Sequence, residues 1–180
     1  DLHPKALVPV NGKPLLQRNI EYLKSYGIRR MVINAHHFAV QIEDFLKTNH
    51  YFDCDISLSH EEEAPLETGG GLKRAAPLLD LQHPFFVINA DILSNLNIRE
   101  MKRYHDQYRP LVTLAVTNRK ASRSFLFTGE NQLCGWCNNK TGEQKISIPS
   151  VEYIPKAFSG MHIIDPDIFQ FITEEGKFSL

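Results

Sequence analysis

The stretch "FFVINAD", residues 85–91, ends a run of aromatic and aliphatic side chains on a carboxylate, Asp91. A carboxylate in that position either caps a turn or meets a ligand at the mouth of a sheet. A single Asp cannot cage Ca2+, but it suits Mg2+, which keeps most of its water and takes its other ligands from substrate phosphates. A second feature is "APLETGGGLKRA", residues 64–75, with three consecutive glycines between Thr68 and a short basic helical pattern. It has neither the Lys of G-x-x-x-x-G-K-[ST] nor the spaced glycines of G-x-G-x-x-G, so it matches neither of those phosphate or dinucleotide loops. Bare glycine backbone lets N–H and C=O groups touch the edge of a flat base, and amides at a helix start favour an anion. As a plain helix cap the run would be wasteful, because each interior Gly costs about 1 kcal/mol relative to Ala. Lys5, between Pro4 and "ALVPV", either presents a fixed positive charge to a phosphate or is a solvated surface side chain.

Other candidates carry less chemistry. His36 and His37 are adjacent in a strand-like stretch, where neighbours point to opposite faces, so they do not share a metal. "HEEE", residues 60–63, reads as a solvated acidic turn, and Asp53 and Asp55 as loop charge. Cys134 and Cys137 have C-x-x-C spacing but no second pair to complete a zinc site, and their polar surroundings read as a hairpin with two ordinary strand cysteines. No Ser/His/Asp order and no H-E-x-x-H is present.

These residues need a scaffold. Leu16, Ile20 and Leu23 have helical spacing over 14–26 and stop at Gly27, a C-cap residue. "RRMVINA" (29–35) is a short apolar strand; Ile42, Phe45 and Leu46 mark a second helix; "DISLSH" (55–60) is a second strand. A helix through Leu72, Ala75 and Ala76 follows the glycines. "PFFVINAD" (84–91) has the continuous apolar profile of a central parallel strand. A helix from Asn97 to Tyr108 follows, with Glu100 placed to complete a cap. "LVTLAV" (111–116) is a strand, 124–153 alternates short strands and turns, and "AFSGMHIID" (157–165) is a strand leading into a last helix at Asp165-Pro166. Such alternation predicts an α/β fold: a Rossmann-like, mostly parallel sheet with helices on both faces and a small β-rich insertion at 124–153. Ligands of such sheets bind beyond the carboxyl ends of the strands, where His36 and His37, the glycines, Asn89 and Asp91 all fall.

With 180 residues, 42% hydrophobic and 23% charged content and a formal net charge of -1, the chain fits one well-buried domain. Nothing in that balance favours nucleic acid or a membrane surface, and no apolar run reaches the roughly 20 residues of a transmembrane helix. Three cysteines, an odd number, fit a reducing compartment, so the cytoplasm is the expected location. The aromatic content of 124–153 would allow an interface between copies, making a homo-oligomer the expected assembly if one forms.

In order along the chain, "PKALVPVNGKPLLQRNIEYLKSYGI", "VINAHHFAVQIEDFL", "EAPLETGGGL", "FFVINADIL" and "FSGMHII" resemble the sugar-1-phosphate nucleotidyltransferase family over roughly residues 4 to 170. Within it the N-acetylmuramate-1-phosphate uridylyltransferases look most similar, followed by the mannose-1-phosphate guanylyltransferases. The resemblance implies the nucleotide-diphospho-sugar transferase fold and one reaction. A sugar 1-phosphate oxygen attacks the α-phosphorus of a nucleoside triphosphate, and pyrophosphate leaves, with Mg2+ as cofactor. It further implies that Lys5 contacts phosphate and that Pro65, Leu66, Thr68, Gly69 and Gly70 line the nucleotide. Asn89 would lie beside the substrates, Asp91 would hold the metal, and Ser159 and Gly160 would approach the sugar. The product would feed cell-envelope polysaccharide. The family's G-x-G-T-R-x-x-P loop would lie before "DLHPKALVP" and its second metal carboxylate after Leu180. The 180 residues therefore read as one nucleotidyltransferase domain truncated at both ends, expected to be inactive as they stand. The alternative is a non-catalytic module that binds a nucleotide sugar for regulation.

Overall fold

The computed structural model describes residues 4–36, 38–61 and 65–179. Strands β1 (Pro9–Val10) and β2 (Lys13–Pro14) form a hairpin that the sequence reading passed over. Its turn is Asn11-Gly12, both at positive φ, as a two-residue hairpin turn prefers. Helix α1 (Leu15–Ser25) buries Leu16, Ile20 and Leu23. It ends as expected at Gly27, where the Ile28 amide reaches the Leu23 carbonyl (3.1 Å) and the Gly27 amide the Lys24 carbonyl (3.0 Å). That paired pattern requires a left-handed residue, and Gly27 supplies it with φ +86°.

Next come β3 (Arg30–Ala35), α2 (Ala39–Thr48) and β4 (Asp55–His60), with β3 and β4 parallel and Asn34 opposite Ser59. Alternation along β3 decides its two faces. Met31, Ile33 and Ala35 pack into one core with Leu16, Ile20 and Leu23 of α1 and Ile42 and Leu46 of α2. Asn34 points the other way, toward α3 (Glu67–Ala75), so helices cover both faces as expected. β5 (Phe85–Ile88) adds Phe86 and Ile88 to the α1 side of the core, and α4 (Ile98–Tyr108) adds Ile98.

β6 (Val112–Thr117), β7 (Arg123–Phe127), β8 (Leu133–Asn138) and β9 (Gln144–Ile146) precede β10 (Ile154–Ile164), the longest strand. β10 runs antiparallel to β5 on one edge and to β6 on the other, while its first residues pair with β7. β7, β8 and β9 form an antiparallel meander across 123–146, in the stretch where short strands were expected. The segment after Asp165 departs from expectation: it is a five-residue 3-10 turn, Pro166–Gln170, instead of an α-helix.

β5 is not flanked by parallel partners, contrary to the reading of its apolar run. One edge bonds to antiparallel β10; the other, among the described residues, bonds to no strand. The strand directions still follow the α/β pattern. β5 and β6 both oppose β10 and so run the same way. β3 meets the segment ahead of β5 at both ends: its first residue, Arg30, donates to the Leu78 carbonyl, and Asn34 near its far end lies against Gly71 in the middle of α3.

Between β3 and β5 lies a trench of about 1260 Å³, larger than the roughly 300–1,000 Å³ typical of small-ligand pockets. Consecutive residues of both strands, 30–34 and 85–90, line it. Neighbouring side chains point to opposite faces, so what the two strands present to the trench is their backbone edges.

Candidate functional site

Of the polar residues singled out in the sequence, His36, Asn89 and Asp91 lie at the carboxyl ends of β3 and β5, whereas Lys5 and Ser159 do not. At the first of these ends, Asn34 donates from Nδ2 to Glu61 Oε1 (2.5 Å), and the other carboxylate oxygen accepts from the Leu66 amide (2.9 Å). Glu61 also bonds through its backbone, its amide to the Ala35 carbonyl (2.9 Å) and its carbonyl to His36 Nδ1 (2.7 Å). Only 8% of Glu61 is exposed, so the reading of 60–63 as a solvated turn fails at this residue. Glu61, one residue past β4, continues the face of Ser57 and Ser59, opposite Ile56 and Leu58, and only its donors on other elements account for the burial. His37, Glu62 and Glu63 lie outside the described residues.

The glycines do not precede α3; they are inside it, because the helix already starts at Glu67. All three are buried, and each has a close neighbour. A Cβ on Gly69 would lie 2.2 Å from the Phe178 ring, one on Gly70 2.1 Å from the Gly176 carbonyl oxygen, and one on Gly71 2.4 Å from Asn34 Nδ2. The first amides of a helix have no partner within it. Here Glu61 takes the Leu66 amide, and the Phe178 carbonyl takes those of Gly69 (2.9 Å) and Gly70 (3.2 Å). The Phe178 amide returns a bond to the Leu66 carbonyl (3.1 Å). The segment 176–178 therefore covers the backbone that the sequence reading assigned to a base, a packing that sequence spacing did not reveal. Pro65 and Thr68 are exposed and Leu66 is half-buried.

At the end of β5 the Asn89 amide donates to the Gly160 carbonyl (2.9 Å). Gly160 has φ +76° and sits where the β10–β6 register shifts, and a Cβ there would lie 3.1 Å from Asn89 Nδ2. The structure thus joins Asn89 and Gly160, 71 positions apart in number, at one bulge of the sheet. Asn19 of α1 holds the next residue through the Ala90 carbonyl (3.2 Å), and Asp91 follows, exposed, in the turn beyond. Ser159 lines a separate cavity of about 440 Å³ with loop residues 92–95, Thr117 and Arg119.

Asn34, Thr68, Gly71 and Asn89 all line the trench, which links the glycine segment to the end of β5. Lys5 stands apart, exposed on the 3-10 turn Lys5–Leu7 beside α1 and outside the walls of both cavities. Among the described residues no three His, Cys, Asp or Glu side chains are grouped to hold a metal. Asp91 alone fits Mg2+ of the kind that relies on substrate phosphates, and does not fit an all-protein cage. Cys134 and Cys137 are free, buried residues of β8, and the Cys134 thiol donates to the Leu126 carbonyl (3.1 Å). No helix of the described residues is long and apolar enough to cross a membrane.

The fold is that of nucleotide-diphospho-sugar transferases: HddC from Yersinia pseudotuberculosis, solved in complex with GMP-PN, superposes with a TM-score of 0.77 at 23% identity, over 98% of this chain and 73% of that one. The chain belongs to the nucleotidyl transferase family, whose description matches residues 1–125. Among its relatives is an N-acetylmuramate alpha-1-phosphate uridylyltransferase of Caulobacter vibrioides, 31% identical over 98% of this chain and 72% of the relative. Another is the mannose-1-phosphate guanylyltransferase catalytic subunit beta of Danio rerio, 28% identical over 97% of this chain. The chain spans about half of that guanylyltransferase's length, 51%.

Proposed function

We propose that the protein containing this chain transfers a nucleoside monophosphate from a nucleoside triphosphate to a sugar 1-phosphate. The sugar phosphate oxygen forms a bond to the α-phosphorus as the α–β phosphoanhydride bond breaks, and pyrophosphate departs. The observation that carries the reading is the joining of Asn89 to Gly160 beside Asp91, across the trench from the glycine segment, in a chain of the nucleotidyl transferase family. Reactions of this kind depend on positioning and charge neutralisation more than on covalent chemistry, which accords with the absence of a nucleophile-and-base pair in the motifs.

In this reading Pro65, Leu66 and Thr68 lie against the nucleotide. Gly69 and Gly70 join them when the base takes the place of the Phe178 carbonyl on their amides. Asn89 orients the reacting phosphate, and Ser159 and Gly160 approach the sugar. Lys5 meets phosphate charge at the edge of the site. Asp91 would hold Mg2+, which supplies charge neutralisation on the phosphates. The reaction belongs in the cytoplasm, with a product of use in building envelope polysaccharide.

The test is pyrophosphate release by the intact protein with Mg2+, across UTP, GTP, dTTP and CTP and several sugar 1-phosphates. Release is expected only with a sugar 1-phosphate present. Asp91→Ala should lower it by at least about 100-fold, as loss of a metal ligand does. Its Tm should stay the same, since the side chain is exposed. Full activity in that variant would remove the metal assignment. Nucleotide-sugar binding with no pyrophosphate release by the wild type would favour a regulatory binding module instead.

A further inference from the structure

We propose that Glu61 is a positioning residue that sets the height of the nucleotide-binding segment over the ends of the strands; the inference rests on the nucleotidyl-transfer reading above. A buried carboxyl is costly unless both oxygens find donors. Glu61 has them, and the two donors come from different elements: Asn34 at the end of β3 and the Leu66 amide at the approach to α3. The carboxyl is the bolt between the strand end and the first turn of the helix. Its backbone is fixed as firmly, through Ala35 and His36. A carboxyl group at the start of a helix is also favoured by the helix dipole.

Gly71 leaves the room for this bolt. A Cβ there would come 2.4 Å from Asn34 Nδ2 and 2.9 Å from Glu61 Oε1, so the third glycine serves the Asn34–Glu61 pair, while the first two serve the 176–178 segment. Asn34, Thr68 and Gly71 face the same trench as Asn89. Fixing Leu66 to the end of β3 therefore fixes the distance between the proposed base-contacting residues and the proposed phosphate-contacting end of β5. An error of about 1 Å in such placement can cost on the order of 100-fold, and because this segment meets the nucleotide and not the reacting atoms, the loss is expected in nucleotide affinity.

Glu61→Gln keeps the shape but leaves one acceptor oxygen for two donors, Asn34 Nδ2 and the Leu66 N–H. The double variant Glu61→Gln with Asn34→Asp reverses the polarity of the pair. The glutamine amide then donates to the new carboxylate, and its oxygen is free for Leu66. Two readouts decide the matter in the intact protein. The first is amide hydrogen exchange at Leu66, Gly69 and Gly70; the second is the KM for UTP and for GTP against kcat, with the UTP-to-GTP preference.

Glu61→Gln should speed exchange at Leu66 and raise the KM of the preferred nucleotide about tenfold or more, with kcat within about threefold and the sugar 1-phosphate KM unchanged. The double variant should return both readouts toward wild type. A fall in Tm with unchanged nucleotide KM and preference would make Glu61 a structural bond only, and would overturn the inference. So would wild-type exchange at Leu66 in Glu61→Gln. If the wild type itself neither binds UTP or GTP nor releases pyrophosphate, the nucleotidyl-transfer reading falls, and the role given to Glu61 falls with it.

Discussion

His162 sits in β10 with 8% of its surface exposed, stacked on Phe158, and neither ring nitrogen has a partner among the described residues. Burial penalises the charged imidazolium and pushes its pKa down to about 4 from 6.5. The unfolded chain therefore binds a proton between those two values that the folded chain refuses. Stability is unaffected above pH 6.5 and declines as the pH falls toward 4, by up to about 1.4 kcal/mol per pH unit from this residue. His105 is lowered in the same direction by burial, although nearby Asp106 and Asp165 oppose it, and it holds Thr113 Oγ1 at 2.9 Å. Denaturant titrations across this window should show His162→Leu with a flatter acid limb than wild type and a residual slope from His105 and the carboxylates. An identical acid limb in the variant would show that His162 is already charged or solvated in the folded protein.

Helices show how far local chemistry reaches. Asn97 begins α4 as the sequence suggested: its side-chain oxygen accepts from the Arg99 amide (3.1 Å) and the Glu100 amide (3.3 Å). Asn97→Ala removes both bonds from an exposed cap and should cost about 1 kcal/mol, read as a drop in Tm. A wild-type Tm would mean that the packing of Ile98, Met101 and His105 holds the helix without its cap. Gly27, Asn97 and the apolar spacing of α1, α2 and α4 were legible because each signal is complete within a few residues. The start of α3 at Glu67 was not, since what calls for glycine inside the helix is close contact with distant residues: Phe178 at Gly69 and Gly176 at Gly70, about 110 positions away in number, and Asn34 and Glu61 at Gly71. Glu61 was missed for a related reason. Its neighbours in sequence are charged, and only the Asn34 and Leu66 donors on other elements make burial tolerable. Asn89 and Asp91 were singled out by their place at the end of an apolar run, and Gly160 through the family resemblance. Neither composition nor spacing predicted that Gly160 would meet Asn89.

Over the whole molecule the strand order carries the lesson. A run such as Phe85–Ile88, apolar at every position, reports burial on both faces but not the direction of its neighbours, and β10 proved to be antiparallel. That reversed strand binds the two halves together: one end pairs with β5 and β6 at the core, the other with β7 of the meander. The bulge at Gly160 lies between those two tasks, where the strand changes register.

The trench has a further consequence, for how these 180 residues behave in a crowded solution. The edges of β3 and β5 that face it present amides and carbonyls with no strand beside them among the described residues, and apolar side chains flank both. Bare edges of this kind are templates for intermolecular strand addition. Self-association should therefore be the characteristic failure of these 180 residues. Light scattering should show an average mass that climbs with concentration, and infrared spectra of the heavier species should gain intermolecular β-sheet signal. Monomers that persist at every concentration would mean that both edges are already protected. A tendency to clump would thus be a property of two particular strand edges.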